Sequence, residues 1–129
     1  MVNTYPTPAN LQDVIVPGGQ LVDISTDSDS YAPIPVNGII VDAFCTISDA
    51  ITGADAVVVV SVIKDGVTTE IGTITAVDND SAPGSTFTMV ITGTEAARSV
   101  KRGDTILFAS GGESSTTSIA NFSAVLRRT

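Results

Sequence analysis

The sequence predicts an all-β chain: a single antiparallel β-sandwich of jelly-roll type, with about eight strands and an extended N-terminal arm. Three observations predict it. The chain has 16 Val, 13 Ile and 17 Thr against 4 Leu, and β-branched side chains fit a pleated surface but lose rotamer freedom in a helix. Gly, Pro, Asn and Asp recur at short intervals, as turns between many short strands require. No stretch reads as a long helix, and 129 residues of uniform composition make one domain. The chain divides into an arm, residues 1–12, and a sandwich, residues 13–129.

The arm holds Tyr5-Pro6-Thr7-Pro8, and its prolines favour extended backbone and remove ladder donors. Tyr5, Pro6 and Leu11 are its candidate anchors on a neighbouring subunit. Asp13–Val16 reads as a short strand ended by a turn at Pro17-Gly18-Gly19. Gln20–Ser25 reads as the next strand and Thr26–Ser30 as a polar loop. Pro33 and Pro35 then mark an edge or a connection. Gly38–Ser48 is a strong strand with Ile39, Val41, Ala43, Cys45 and Ile47 on one face, which makes Cys45 a core residue.

Ala56–Ile63 is apolar on both faces except at Ser61. Such a strand is covered twice, by the core and by a further layer or another subunit. Val58, Val60 and Val62 are accordingly candidates for a subunit interface. Asp65-Gly66 signals a hairpin, Thr69–Val77 returns, and Gly72 marks a bulge. Thr86–Thr92 is a strand with Phe87, Met89 and Ile91 inward. Thr94–Val100 forms one helical turn capped by Thr94. Lys101–Asp104 turns into a strand over 105–110. The last strand, Ser118–Arg127, points Ala120, Phe122, Ala124 and Leu126 inward.

Composition excludes several chemistries. The chain has no His and one Cys, so it holds no Ser-His-Asp or Cys-His nucleophile system, no Cys/His zinc site and no intrachain disulfide. No catalytic residue, cofactor site or metal site is assigned, and no enzymatic activity is expected. With a net charge of −8, nucleic acid is not expected as a partner, because phosphate affinity comes from Lys and Arg. No stretch approaches the roughly 20 apolar residues that span a bilayer. The N-terminus has neither the basic nor the apolar region of a signal peptide. Synthesis in the cytoplasm without a membrane partner is the expectation.

The remaining motifs favour turn chemistry. Asp27-x-Asp29 and Asp78-x-Asp80 lack the spacing of a full calcium loop, and loop Asp residues commonly bond their own backbone. Arg102-Gly103-Asp104 matches an attachment tripeptide, but it sits where a turn must enter a strand. Charge is uneven along the chain: residues 1–97 carry a net −11 and residues 98–129 a net +3. Arg98, Arg102, Arg127 and Arg128 are therefore candidates for docking on acidic groups of a partner, with the acidic loops facing solvent.

Five segments carry a family resemblance. They are Asp13–Pro17, Gly38–Ile47, Val62–Gly66, Val100–Ile106 and Ser118–Phe122. In order, they resemble the small tailed-phage capsid decoration, or cement, proteins. That resemblance implies a jelly-roll-like β-sandwich that binds the outer capsid surface as a homotrimer and staples major capsid protein subunits together. It carries no catalytic residues. The alternative from another class is a carbohydrate-binding or host-adhesion module of a virion, which requires exposed aromatic side chains in a groove.

Overall fold

The computed structural model describes residues 13–79 and 81–129. The arm anchors Tyr5, Pro6 and Leu11 lie outside the described residues. Nine strands and one helical turn follow in order: β1 (Asp13–Leu21), β2 (Asp27–Pro33), β3 (Gly38–Ile47), β4 (Ala56–Lys64), β5 (Val67–Ala76), β6 (Thr86–Ile91), α1 (Glu95–Arg98), β7 (Ser99–Val100), β8 (Thr105–Gly111) and β9 (Ala120–Arg128). Every pairing is antiparallel. The strand order is β1-β9-β3-β6-β5-β4-β8-β2, with β7 beside β3.

This order makes two layers that share one core. β1, β9 and β3 form one layer, and β5, β4, β8 and β2 form the other. β6 joins them along one side, because Phe87 pairs with Cys45 while Met89 pairs with Ile74. On the other side β1 and β2 meet without a ladder, and the Ser30 hydroxyl donates to the Gly18 carbonyl at 2.8 Å. The sandwich is therefore nearly closed. Pro17 and Pro33 lie on these two edge strands, where a missing N–H costs nothing.

The core is aliphatic, with one aromatic pair. Phe108 and Phe122 stack with ring centroids 4.6 Å apart. Ile40, Ile71, Ile74, Ile106 and Leu126 are fully buried around them. Cys45 is buried in this core as expected, and burial pushes its thiol up to about 12. Ala120, Phe122, Ala124 and Leu126 all point inward. Asp65 and Gly66 both take positive φ in the β4–β5 hairpin, as the Asp-Gly signal requires. Thr94 caps α1 by accepting from the Ala97 amide at 3.2 Å.

Several expectations are corrected, each through a bulge or a register. Pro17-Gly18-Gly19 is not a turn. β1 runs through it with one extra residue, since Pro17 opposes Ser123 and Gly19 opposes Phe122. Asp27–Ser30 is not a loop. It pairs residue for residue with Phe108–Gly111 on β8, so tertiary pairing overrides its turn-like composition. On β3 a bulge between Ile40 and Asp42 switches the face. Ile40 is buried instead of Ile39 and Val41, while Ala43, Cys45 and Ile47 stay inward. Ile91 is exposed rather than inward.

The strand β4 needs the largest correction. Val58, Val60 and Val62 are 0–1% exposed and belong to the protomer's own core. They cannot face another subunit. The outward face of β4 is carried by half-buried Val57 and Val59.

Candidate functional site

Strand polarity assembles the site. β3 begins where β9 ends and where β7 lies, since Gly38 pairs with both Arg128 and Val100. β4 ends at the same pole with Lys64, and the turn after β7 adds Lys101 and Arg102. All 6 Lys and Arg residues of the chain thus meet at one end of the sandwich. Asp13, Asp65, Glu95 and Asp104 stand among them, while the loops and strand ends of the opposite pole carry Asp23, Asp27, Asp49, Asp55, Asp78 and Glu113 without a single cation. The nine residues of β4 separate the two poles by roughly 30 Å at about 3.3 Å per residue. That exceeds the ~8 Å screening length at physiological salt, so neither pole neutralises the other.

The cations differ in how they are held. Lys64 is half-buried, and its ammonium donates to the carbonyls of Ala96 at 3.1 Å and Ser99 at 2.6 Å. Arg98 is also half-buried. Its Nη1 donates to the Ile40 carbonyl at 2.9 Å, while its buried Nε has no partner among the described residues. Arg98 is therefore tied into the fold rather than displayed. Arg127 pairs with Asp13 at 3.1 Å on the exposed surface, and that carboxylate raises its pKa further. Among the described residues this is the one ion pair. Lys101, Arg102 and Arg128 are exposed.

The Arg102-Gly103-Asp104 segment is a turn, as expected. Gly103 has φ +96°, the Lys101 amide donates to the Asp104 carboxylate at 2.8 Å, and the Arg102 amide donates to the Asn37 side chain at 3.0 Å. This turn fixes the backbone that carries Lys101 and Arg102.

Depressions lie at both a charged and an aromatic part of the surface. A groove of about 380 Å³ lies at the basic pole, with Ile39, Ala96 and Val100 as apolar lining and Lys64 and Lys101 as cations. A smaller hollow of about 180 Å³ lies beside Tyr31, Pro33 and Thr105. Tyr31 is the one strongly exposed aromatic among the described residues. No cluster of metal-ligating side chains is found among the described residues, and no helix there is long and apolar enough to cross a membrane.

Of the sequence candidates, the structure brings Arg98, Arg102, Arg127 and Arg128 to one pole and leaves Val58, Val60 and Val62 in the core. Sequence reasoning missed Lys64. Its signal was available, because Lys64 is the only basic residue in the acidic first 97 positions.

No protein-family model matches the chain, and no curated protein matches it. Solved structures do share its fold. A chain of the cyanophage Pam1 capsid asymmetric unit matches with TM-score 0.53 and 11% identity, over 100% of this chain and 94% of that one. The Eiger TNF of S. frugiperda matches with TM-score 0.54 and 6% identity, over 93% of this chain and 94% of that one. The module CsCBM6-3 of Clostridium stercorarium, solved with cellobiose, matches with TM-score 0.51 and 13% identity, over 93% and 83%. At these identities the likeness establishes the all-β jelly-roll sandwich and nothing finer.

Proposed function

We propose that the chain is a structural protein of a tailed-phage virion. It binds the outer surface of the capsid as a homotrimer and stabilises contacts between major capsid protein subunits. The observation that carries this reading is the convergence of the cations. A chain of net −8 gathers its 6 cations at one pole, beside Asp13, Asp65, Glu95 and Asp104, and among the described residues only Arg127 forms an ion pair with a carboxylate. Such a pole suits an acidic protein surface, while the acidic loops suit solvent. The sharing of the whole fold with a chain of a phage capsid asymmetric unit is consistent with it.

Physically, a decoration protein works by repetition. Each contact across a capsomer seam is weak, but a trimer engages three at once, and the second and third form at high effective concentration. Charge complementarity sets orientation and speeds capture more than it adds raw affinity.

The test is co-sedimentation with capsid shells assembled without this chain. Saturable binding in multiples of three per capsomer junction is expected, weakening in the Arg102→Glu/Arg128→Glu variant and at high salt. No binding at low salt overturns the reading. Tyr31 and its hollow favour one second reading, a carbohydrate-binding module, since the fold is shared with a module solved with cellobiose. Glycan-array binding abolished by Tyr31→Ala, with no shell binding, selects it.

A further inference from the structure

We infer that the groove at the basic pole receives a carboxylate side chain from an acidic segment of the partner protein. The inference rests on the capsid-binding reading and names the chemistry of its contact.

Lys64 carries the argument. Its ammonium has three N–H donors, and two are spent on the Ala96 and Ser99 carbonyls. Those acceptors are neutral. They hold the ammonium in place and leave its charge uncompensated and one donor unused. A half-buried cation loses hydration that only an anion restores in full. Lys101 stands on the same groove and is exposed. Neither lysine has a carboxylate within 4 Å among the described residues, the terminus at Thr129 included.

The lining selects the anion. Ile39, Ala96 and Val100 offer apolar surface to the methylenes of an acidic side chain. Phosphate sites commonly add converging backbone N–H groups to their cations, whereas the backbone here turns two carbonyls toward the groove's cation. Asp65, Glu95 and Asp104 of the same protomer stand at this pole, yet among the described residues none forms an ion pair with Lys64 or Lys101, so the carboxylate comes from another molecule. A protein carboxylate is the ligand that satisfies all of these features.

The test is an amide NMR titration of the full chain at low salt. The probe is an acetylated, amidated tetraglutamate peptide, with the tetraglutamine peptide and inorganic phosphate as controls. Saturable shifts are expected at Ile39, Lys64, Ala96 and Val100 with glutamate and not with glutamine. Lys101→Glu, a change on the exposed rim, weakens the peptide about tenfold. Lys64→Gln abolishes the shifts while the spectrum stays dispersed. Shifts scattered over the surface, equal shifts with phosphate, or an unchanged affinity in Lys101→Glu overturn the inference. Shells separate the two readings. Shell binding unchanged in Lys101→Glu refutes the groove and leaves capsid binding standing. Peptide capture by a chain that binds no shell refutes capsid binding and leaves the groove standing.

Discussion

Replacing Gly18 with alanine tests the packing that closes the sandwich. Gly18 sits at the β1 bulge, between Pro17 and Gly19. A Cβ there meets Phe108 Cε2 at 2.5 Å and Phe122 Cβ at 2.7 Å. Those two residues are the stacked pair at the centre of the core, so neither ring has room to yield. Gly18 is not among the residues of positive φ, so alanine suits the backbone and the cost is steric. Overpacking a core typically costs about 1–3 kcal/mol. With two contacts this close, one to a Cβ that cannot rotate away, about 2–3 kcal/mol is expected.

In a domain of this size that loss lowers the melting temperature by roughly 8–12 °C, at about 4 °C per kcal/mol. Far-UV circular dichroism melts measure it. Gly66→Ala is the control: Gly66 has φ +80° with nothing near its Cβ position, so it carries backbone strain alone, about 1 kcal/mol. Phe108→Leu removes the atom that Gly18→Ala strikes, so the double variant recovers about 1 kcal/mol of coupling. A Gly18→Ala protein that melts no lower than Gly66→Ala refutes the reasoning.

Three further predictions follow from the core and its loops. Val60→Ala costs roughly 2 kcal/mol in urea unfolding and does so independently of protein concentration; a concentration-dependent loss restores Val60 to an interface. Cys45, buried with its thiol at about 12, reacts with a disulfide reagent only as fast as the protein unfolds; immediate reaction in native buffer contradicts its placement. Asp23 accepts from the Ser25 hydroxyl at 2.6 Å and its amide at 2.9 Å, which holds its carboxyl below the ordinary 3.8. The folded state then binds this proton less tightly than the unfolded chain, so the stabilisation is complete above pH 3.8 and disappears as pH falls through the lowered value. Asp23→Asn flattens that acid limb of stability against pH, and an unchanged limb contradicts the assignment.

Much of this architecture was legible in the residues. The Val, Ile and Thr excess implied the sheets, Asp65-Gly66 the hairpin, and Gly72 the bulge on β5, where Gly72 opposes Val60 and Glu70 opposes Ser61. Alternation along Ala120–Leu126 gave its inward face correctly because β9 is regular and central. The misreadings share a physical origin. A bulge shifts a period-two pattern by one, and on β1 and β3 the local pattern did not announce it. Val41 on β3 and Gly18 on β1 each reversed a face or hid a strand in this way. Asp27–Ser30 has a turn-like composition and becomes a strand only because β8 supplies its partner. On β4 both faces are apolar, so which valines face the core is undecidable without the register. The charged pole was half legible. The excess of Arg in the last third was visible, but its convergence with Lys64 depends on strand order.

The central claim is that this chain stabilises a capsid by binding it. The most direct measurement is the temperature at which packaged DNA becomes accessible to an intercalating dye. Virions lacking the chain are heated with and without saturating purified protein. The account predicts that added protein raises the release temperature, and that Lys101→Glu/Arg102→Glu/Arg128→Glu does not. Release at the same temperature with and without bound protein contradicts it.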